Sequence, residues 1–414
     1  MKLIWRNIWR NRRRALITMA SVFFAVFFSV LMNSFSTGVW NQMVDNTLRT
    51  QTGHIQIHGE RYWDDKVIDN FMFMDAATIA RIENIKGIDN VSPRVEIFAM
   101  AASASISKGI AVIGVSPEKE AQKSKLPSHL VSGGYLSETD DGILIGEGLA
   151  KYLKVTVDDT LALIGQGYHG ASAAGLFPVR GVLKLMTADM DNSMAYVTLP
   201  AAQYFIDMPD GYSGLLISIS DNNRLDEIME VVSSQLSVVS GEVTENLQLE
   251  TENYEVFSWH FTMERLLQQA ETDKAFGSLL MVILYVIVGF GIWGTVIMMT
   301  NERKREFGMM ISLGMSRTKL STTTLFELLV MSLTGVILAL GVTIPVAYWF
   351  NINPIQITGS MADMFLEFGM EPVMPMSVET SIFTNQIITI LAIVALTVIY
   401  PVRKIFKLEL SKSM

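Results

Sequence analysis

The side chains that could perform acid–base or metal chemistry are few and scattered in this sequence. Of the five histidines only His54 and His58 are close together, on a segment that alternates polar and apolar residues. On a strand these two rings share a face and could form half of a metal site, but no third ligand stands beside them. The G-x-S-x-G sequence of a serine nucleophile is absent. We therefore predict no catalytic residue and no metal site.

A phosphate-binding loop is also missing. The sequence G-x-x-x-x-G-K-[ST] requires a Gly-Lys dipeptide, which the chain does not contain. The chain is therefore expected to bind no nucleotide or other cofactor itself.

Charged and apolar side chains are arranged most regularly in the segment 301–327, NERKREFGMMISLGMSRTKLSTTTLFE. A charged cluster at 302–306 is followed by apolar residues at helical spacing, and then by Gly314 and Ser316. Glycine commonly ends a helix, and serine commonly caps the start of the next one. The pattern predicts a short amphipathic helix between two longer helices. An ordinary basic loop is the alternative, and it would not require the apolar face, the glycine or the cap.

Four apolar stretches must position this segment. They lie at 15–35, 275–300, 322–350 and 381–400. A helix needs about 20 residues to cross the ~30 Å hydrocarbon core of a bilayer. We therefore predict an α-helical membrane protein with four transmembrane helices, and a large extracytoplasmic α+β domain inserted between helices 1 and 2. The first stretch is interpreted as an uncleaved anchor, because its apolar run is long and no Ala-x-Ala cleavage site follows it.

The distribution of lysine and arginine predicts which side of the membrane each segment faces. Basic residues crowd the N-terminal flank, the 301–321 loop and the C-terminal tail, whereas the 351–380 loop has none. Lysine and arginine accumulate in short cytoplasmic loops. Both termini and the 301–321 loop are therefore expected inside the cell, and the 36–274 domain and the 351–380 loop outside. The predicted location is the cell inner (cytoplasmic) membrane.

The net charge of −9 hides this polarity. Acidic residues outnumber basic ones in the segment 36–274, which makes this domain a poor match for nucleic acid, because nucleic-acid phosphates are bound by lysine and arginine. The basic inner segments instead suit anionic lipid headgroups, and a soluble partner as well.

Strand and helix patterns alternate within 36–274. Without cysteine this domain has no disulfide, so core packing must hold its two interleaved parts together. The glycine-rich segment 165–178 is typical of a mobile loop or hairpin tip. Helical spacing past residue 35, and again from residue 258 into the second span, predicts two rigid stalk helices, with simple helix ends as the alternative. Strands are predicted at 54–58, 108–115, 142–146, 160–164, 179–185, 196–199 and 215–220, and helices at 147–153 and 225–236.

The outer loop 351–380 is rich in methionine. Flexible methionine side chains re-pack around varied apolar partners. The loop is therefore expected either to contact acyl chains or an apolar peptide through Met361, Met364 and Met370, or to fold back onto the spans as a cover.

The segment 301–327 resembles the cytoplasmic loop of ABC transporter permeases of the MacB, FtsX and LolC/LolE types. That loop has the pattern E-R-[RK]-R-E-[IF]-G-x-x-x-[AS]-L-G-x-[ST]-[RK] and is followed by a Glu near the third span, a place that Glu327 takes here. The resemblance implies a coupling helix that docks on a separate ATPase subunit. The predicted coupling residues are Glu302, Arg303, Lys304, Arg305, Glu306, Phe307, Gly308, Leu313, Gly314, Ser316 and Arg317.

Two further segments support this resemblance. The first fourteen residues, with Trp5, Trp9 and several arginines, are similar to the family's amphipathic elbow. The sequences IGEGLA at 145–150 and VTVDD at 155–159 are similar to an outer-domain segment that reads G-x-x-L-A and then V-G-D. Asp158 stands in place of that glycine, which leaves the shape of the turn open.

Together these inferences divide the chain into nine segments. They are a cytoplasmic amphipathic elbow at 1–14, transmembrane helix 1 at 15–35, an extracytoplasmic α+β domain with stalk helices at 36–274, transmembrane helix 2 at 275–300, a cytoplasmic coupling-helix loop at 301–321, transmembrane helix 3 at 322–350, an outer loop at 351–380, transmembrane helix 4 at 381–400 and a cytoplasmic tail at 401–414.

The resemblance also implies partners and a mechanism. Two permease chains, identical or homologous, would join an ABC ATPase dimer that binds ATP and Mg²⁺, while this chain is not an enzyme. Motion of the coupling helix would pass through the stalk to the outer domain, whose expected partners are membrane lipids and either lipoproteins or a periplasmic protein. The lipoprotein-releasing LolC/LolE type is the most similar. MacB-like export of peptides or drugs and FtsX-like relay to cell-wall hydrolases are the alternatives.

Overall fold

The computed structural model describes residues 12–104, 106–185, 187–236, 248–250, 254–367 and 372–407. These residues belong to two compact units. The first, here called the helical unit, contains residues 12–42, 269–356 and 373–407 of the described chain. The second, called the outer domain, contains Met43–Gln268 and Ile357–Pro372. Most of the predicted elbow, and Met370, lie outside the described residues.

Four of the helices are very long, and the others in the described residues are short. In chain order, the helices are α1 (Arg12–Thr47), α2 (Ala76–Glu83), α3 (Pro117–Ser124), α4 (Glu147–Leu153), α5 (Ala188–Ser193), α6 (Leu199–Phe205), α7 (Leu225–Gln235), α8 (Trp259–Thr262), α9 (Glu264–Glu302), α10 (Lys304–Ser312), α11 (Arg317–Ile352), α12 (Ser360–Glu367) and α13 (Thr380–Phe406). The four very long helices are α1, α9, α11 and α13.

The strands lie mainly in the outer domain. They are β1 (Ile55–Gly59), β2 (Met72–Phe73), β3 (Ile88–Ala102), β4 (Ser107–Val115), β5 (Leu130–Gly133), β6 (Ile143–Gly146), β7 (Thr160–Gln166), β8 (Ser172–Leu183), β9 (Met194–Thr198), β10 (Gly211–Tyr212), β11 (Gly214–Ile219), β12 (Gln248–Glu250), β13 (Tyr254–Ser258), β14 (Ile355–Gln356) and β15 (Val373–Met374).

Four helices are long and apolar enough to cross a membrane, which confirms the predicted fold class. The candidate spans are Ala15–Thr52, Glu264–Glu302, Arg317–Ile352 and Thr380–Phe406. The first two continue well beyond the predicted spans, and the 39 residues of α9 measure about 58 Å at 1.5 Å per residue. That length agrees with the stalk expectation, although α9 begins at Glu264, because β13, α8 and a break at Met263 precede it.

Several polar side chains inside the helical unit form hydrogen bonds to groups that are distant in the sequence. The hydroxyl of Tyr285 on α9 donates to the side-chain oxygen of Gln386 on α13, and the Ser34 hydroxyl donates to the carbonyl of Ser377. Unpaired polar groups in an apolar interior each cost several kcal/mol, so these bonds fix which helices are neighbours. The Asn351 amide likewise donates to the carbonyl of Met376 at 2.8 Å.

Six strands of the outer domain form a closed ring of hydrogen-bonded neighbours. The order is β3, β4, β9, β6, β8, β7 and back to β3, with β4–β9 and β6–β8 parallel and the remaining pairs antiparallel. Apolar side chains fill this ring, among them Ile97, Val112, Ile145, Leu163 and Val197. Burying each such side chain contributes about 1.5–3 kcal/mol.

A second part of the outer domain is an open antiparallel sheet. It runs in the order β12, β13, β1, β11, β3, so the 15-residue strand β3 belongs to both parts. Ile82 of α2, together with Ile228 and Val232 of α7, joins the buried cluster of this sheet. The outer domain therefore has two cores that share one strand, in agreement with the prediction of two interleaved parts.

The seven predicted strands are all present, but the prediction for 165–178 was only partly right. The segment is a hairpin, not a loop, because β7 and β8 pair from Leu161↔Phe177 to Gln166↔Ser172. Five residues, 167–171, connect the two strands, and Tyr168–Gly170 form a short turn among them. Most of the glycines and alanines that suggested a loop lie within the two paired strands.

The turn in which Asp158 replaces the family's glycine keeps a glycine-like conformation. Asp158 has a φ of 71°, in the left-handed region that aspartate tolerates better than most residues. Its amide donates to the Val179 carbonyl at 2.9 Å. The side chain of Asp159 accepts bonds from the amide and hydroxyl of Thr156, at 2.7 and 3.0 Å, and closes the turn.

The IGEGLA sequence has a structural role that is visible in its contacts. Asp191 on α5 is buried and accepts hydrogen bonds from the amides of Glu147 and Gly148 at the start of α4. A Cβ atom at Gly146 would lie 2.1 Å from the Asp191 carbonyl oxygen. Glycine is therefore required here, because the backbones of α4 and α5 meet at this point.

Candidate coupling segment

The predicted short helix and its flanking signals are confirmed. The helix α9 ends at Glu302, α10 follows at Lys304–Ser312, and α11 begins at Arg317. Gly314 has a φ of 96°, and the Met315 amide bonds the Met310 carbonyl at 3.0 Å, as in a glycine-terminated helix. The Ser316 hydroxyl accepts from the Lys319 amide at 3.4 Å, and so caps α11.

Arg303, which joins α9 to α10, is held inside the helical unit. Its Nη1 donates to Oε2 of Glu327 at 2.7 Å, and its Nε lies 3.4 Å from Oε2 of Glu306. Its guanidinium also lies 5.2 Å from the ring centre of Phe307. Arg303 and Glu327 are only 6 % and 2 % exposed, so their opposite charges compensate each other away from water.

An apolar contact holds the other side of α10. Phe307 is 1 % exposed and packs with Leu320 of α11 and Ile405 of α13. Arg317 at the start of α11 donates to the carbonyl of Phe406 at the end of α13. The short helix is therefore fixed to two of the four long helices and not suspended in a loop.

The opposite face of the segment is open. Leu313 is 82 % exposed and Met309 is 63 % exposed, and the side chains of Glu302 and Arg305 are also exposed. Large apolar side chains rimmed by charges mark surfaces that bind other proteins. The segment can thus bind a partner on one face while the other face is anchored to α11 and α13.

The structure divides the predicted coupling residues between these two faces. Arg303, Phe307 and Gly308 are buried, whereas Glu302, Arg305, Leu313, Gly314 and Ser316 are exposed and Lys304, Glu306 and Arg317 are half-buried. From the sequence alone Arg303 and Arg305 look equivalent. They are not, because only Arg303 has a buried carboxylate to meet.

That carboxylate, Glu327, was not recognised as a structural partner from the sequence. A position at the hydrated start of the third span would leave it exposed, but α11 begins at Arg317 and Glu327 lies almost three turns inside it. The sequence around it, LFELLV, could have predicted this role, because a carboxylate within an apolar run needs a cation nearby.

A second buried Arg–Glu pair lies in the outer domain and was also not predicted. Nη2 of Arg94 on β3 bonds both carboxylate oxygens of Glu120 on α3, at 3.0 and 3.1 Å. The same guanidinium donates to the carbonyls of Thr50 and Gln51, in the π-helical turn Leu48–Thr52 that continues α1. A positive charge at the carbonyl end of a helix is favourable, so Arg94 fixes the end of α1 to the outer domain's sheet.

Lys123 gives this second pair an unusual neighbour. Its ammonium is buried and has no hydrogen-bond partner among the described residues. Burial, together with the charge of Arg94, lowers the pKa of Lys123 to about 7. Burial opposes ionisation of Glu120, but the charges of Arg94 and Lys123 prevail and keep the pKa of Glu120 below its ordinary value.

The histidines that could have suggested a metal site have other hydrogen-bond partners. Nδ1 of His58 lies 2.7 Å from the Ser213 carbonyl, and Nε2 lies 2.8 Å from the side chain of Gln56. His54 accepts from the Ile219 amide at 3.3 Å. Burial lowers the pKa of both rings. Across the described ranges no three metal-binding side chains gather.

Four helices that are long and apolar enough to cross a membrane, a large α/β domain inserted after the first, and an anchored short helix between the second and third define the class as a multi-helix membrane protein with one large inserted domain. The sequence matches the MacB-like periplasmic core domain over residues 15–235, which is more than half of the chain, and the FtsX-like permease C-terminal domain over residues 278–410. The chain belongs to this family of ABC transporter permeases. Its members are generally non-catalytic subunits that work with an ATPase subunit.

Two curated relatives are similar to about half of the chain. The chain is 20 % identical over 242 residues to the lipoprotein-releasing system transmembrane protein LolC of Neisseria meningitidis serogroup B, covering 56 % of this chain and 55 % of the relative. It is 23 % identical over 241 residues to LolE of Haemophilus influenzae, covering 56 % and 54 %. The matched region thus spans about half the length of these relatives.

Two solved structures are similar to the outer domain. They are the extracellular domain of the ABC-type transporter YknZ, with 12 % identity and a TM-score of 0.35, and the periplasmic region of MacB from Actinobacillus actinomycetemcomitans, with 12 % identity and a TM-score of 0.37. They cover 50 % and 55 % of this chain and 100 % and 97 % of their own. The family assignment rests on the sequence matches.

Proposed function

We propose that this chain is the permease subunit of an inner-membrane ABC complex that releases lipoproteins, with a separate ATPase docked on the exposed face of α10. The observation that supports the docking is the division of the coupling segment into a buried face and an open face. Both are presented by a helix of only nine residues, Lys304–Ser312, together with its C-cap residue Leu313. A force applied to Leu313 would be delivered through Phe307 to α11 and α13.

The proposed ATPase supplies ATP and Mg²⁺ binding, and a second permease chain, identical or homologous, completes the complex. In this arrangement the termini and α10 face the cytoplasm, because basic residues concentrate there. The long helices α1 and α9 transmit motion away from the membrane. Arg94 supports this role for α1, because its guanidinium donates hydrogen bonds to carbonyls in the turn that continues this helix.

Lipoprotein is the proposed cargo because the matched relatives are named as components of lipoprotein-releasing systems. The methionine-rich outer loop offers a place for acyl chains. Met361 and Met364 on α12 are 59 % and 50 % exposed, whereas Met376 is fully buried. The loop therefore contains both an open apolar part and a part that packs inside the helical unit.

A photocrosslinking experiment tests this cargo. A photoreactive side chain replaces Met364 in native membranes, and captured molecules are identified by mass spectrometry. The proposal predicts acylated lipoproteins, and the buried position Met376 serves as the matched control that captures none. Capture of soluble peptides, of a cell-wall hydrolase, or of this chain alone would contradict lipoprotein release.

A further inference from the structure

A groove in the helical unit has a lining that the proposed function does not use. It lies between α9 and α13, and its volume is about 440 Å³. One part is apolar and is formed by Trp293, Leu396 and Ile399. The other part is formed by Tyr400 and by three cations at the C-terminal end of α13, two in its last turn and one at its C-cap.

The three cations are Arg403, Lys404 and Lys407, and no carboxylate accompanies them in the groove. None of the three forms an ion pair with the part of the chain that the structure describes. The Lys404 ammonium instead lies 3.5 Å from the Tyr400 hydroxyl and over its ring. Three neighbouring cations repel one another unless an anion lies among them. The basic part of the groove therefore favours an anionic ligand.

The apolar part determines what kind of anion fits. Leu396 is 68 % exposed, Ile399 is 45 % exposed and Trp293 is 41 % exposed, on helices that are apolar enough to cross a bilayer. Tryptophan and tyrosine concentrate at the level of the lipid headgroups. A free phosphate ion would leave this apolar wall unused, whereas a phospholipid would contact the cations with its phosphate and the wall with an acyl chain.

The basic turn is held in place from its other side. Ile405 is fully buried in the cluster with Phe307 and Leu320, and the Phe406 carbonyl accepts a bond from Arg317. Because Arg403 and Lys407 are one helical turn apart, their side chains share one face of a fixed helix. The site is therefore preorganised, and little order must be imposed when a ligand binds.

We propose that this groove binds an anionic phospholipid, with its phosphate on Arg403, Lys404 and Lys407 and an acyl chain along Leu396 and Ile399. Basic pockets between helices at a cytoplasmic membrane surface are known to select such headgroups. The site is distinct from the exposed face of α10. Its test is lipid binding itself, so its outcome is independent of ATPase docking and of the cargo.

Native mass spectrometry of the full chain provides the test. The detergent-solubilised protein is titrated with dioleoyl-phosphatidylglycerol or with dioleoyl-phosphatidylcholine, and the bound fraction is measured. The wild-type chain is expected to bind phosphatidylglycerol at least about tenfold more tightly. The triple variant Arg403→Gln, Lys404→Gln, Lys407→Gln is expected to lose this preference.

Two control variants keep the test decisive. Arg61→Gln, Lys86→Gln, Lys154→Gln removes the same charge from exposed positions of the outer domain and should retain the preference. Arg403→Lys, Lys404→Arg, Lys407→Arg retains the charge and should retain it as well. Equal binding of both lipids by the wild-type chain, equal losses in the two neutralised triples, or displacement by inorganic phosphate alone would overturn the proposal.

Discussion

Two buried arginine–glutamate pairs, one in each unit of the molecule, have different surroundings. Arg94 donates two hydrogen bonds to Glu120 and also donates to two backbone carbonyls in the helical turn that continues α1. Arg303 meets Glu327 with a single short bond and lies against the ring of Phe307. Burying a charge is costly in both places, and it is tolerated only because a partner is present.

The difference shows what each pair is able to do. The Arg94 pair ties a helix end to the longest strand of the outer domain and has a third buried charge, Lys123, beside it. The Arg303 pair ties a short helix to a span and has an open protein surface, including Leu313, on the far side. The first pair is therefore a joint between a helix end and a sheet within the outer domain, and the second anchors the surface proposed to bind the ATPase.

The largest effect is expected from Arg94→Met. The variant leaves Glu120 buried without its cation and frees two helix carbonyls, so the free energy of unfolding should fall by about 3–5 kcal/mol. Chemical unfolding of the full chain in detergent, followed by near-ultraviolet circular dichroism, measures this change. Arg61→Met is the matched control, because Arg61 forms only an exposed pair with Asp65 at 3.8 Å. A similar loss in both variants would remove the distinction between a joint and a surface pair.

Glu327→Leu should cost somewhat less, about 2 kcal/mol, because Glu306 remains near the stranded guanidinium. The double variant Arg303→Met, Glu327→Leu replaces the pair by apolar groups and should recover at least half of the loss. A thermal-unfolding double-mutant cycle provides the measurement. Strict additivity of the two single changes would show that the residues do not act as a pair.

The lysine beside the first pair predicts a pH dependence that the second pair lacks. The pKa of Lys123 is about 7 in the folded chain, far below that of a free lysine, so between pH 7 and 10 the unfolded chain binds more protons. Stability should therefore rise with pH in this window, by about 1 kcal/mol per pH unit, and the penalty is fully present below pH 7.

Comparing the wild-type chain with Lys123→Met isolates the contribution of Lys123 to the pH dependence of stability, because the other titrating groups are common to both chains. Urea unfolding at pH 7, 8 and 9 gives the two slopes. Equal slopes of unfolding free energy against pH in the two chains would mean that the pKa of Lys123 is not lowered in the folded chain.

The smallest effect is expected on the exposed face of α10. Leu313→Ala should leave the unfolding temperature unchanged, since Leu313 is 82 % exposed, and weaken ATPase docking about fivefold. The half-saturating concentration of ATPase in a stimulation assay measures the docking. A lower unfolding temperature with unchanged docking would mean that Leu313 belongs to the buried face that contacts α11 and α13, and not to the docking surface.

The sequence predicted the elements of both regions better than their contacts. Helical spacing, the Gly314 stop and the Ser316 cap are local signals, and the structure has all three. The two ion pairs are long-range: 24 positions separate Arg303 from Glu327, and 26 separate Arg94 from Glu120. The periodicity of the sequence does not predict which of several arginines pairs with a given carboxylate, because helix packing and strand pairing determine the partners.

The hairpin at 165–178 illustrates the same limit. Its glycines and alanines favour a loop when each is taken alone. In the folded domain β7 lies between β3 and β8, and both neighbours supply hydrogen bonds to its backbone. Tertiary pairing thus overrides local preference, and only the short turn at Tyr168–Gly170 behaves as the composition suggests.

The most direct test of ATPase docking on α10 uses the absence of cysteine from the sequence. Leu313→Cys introduces one thiol on the open face of α10, and Tyr204→Cys introduces one at a 90 % exposed position of the outer domain. Both chains are treated with a thiol–amine crosslinker in native membranes that are permeable to it. If an ABC ATPase docks on α10, Leu313→Cys is expected to yield a crosslinked ATPase and Tyr204→Cys none. ATPase captured from the outer domain, or from neither position, would contradict the coupling role of α10.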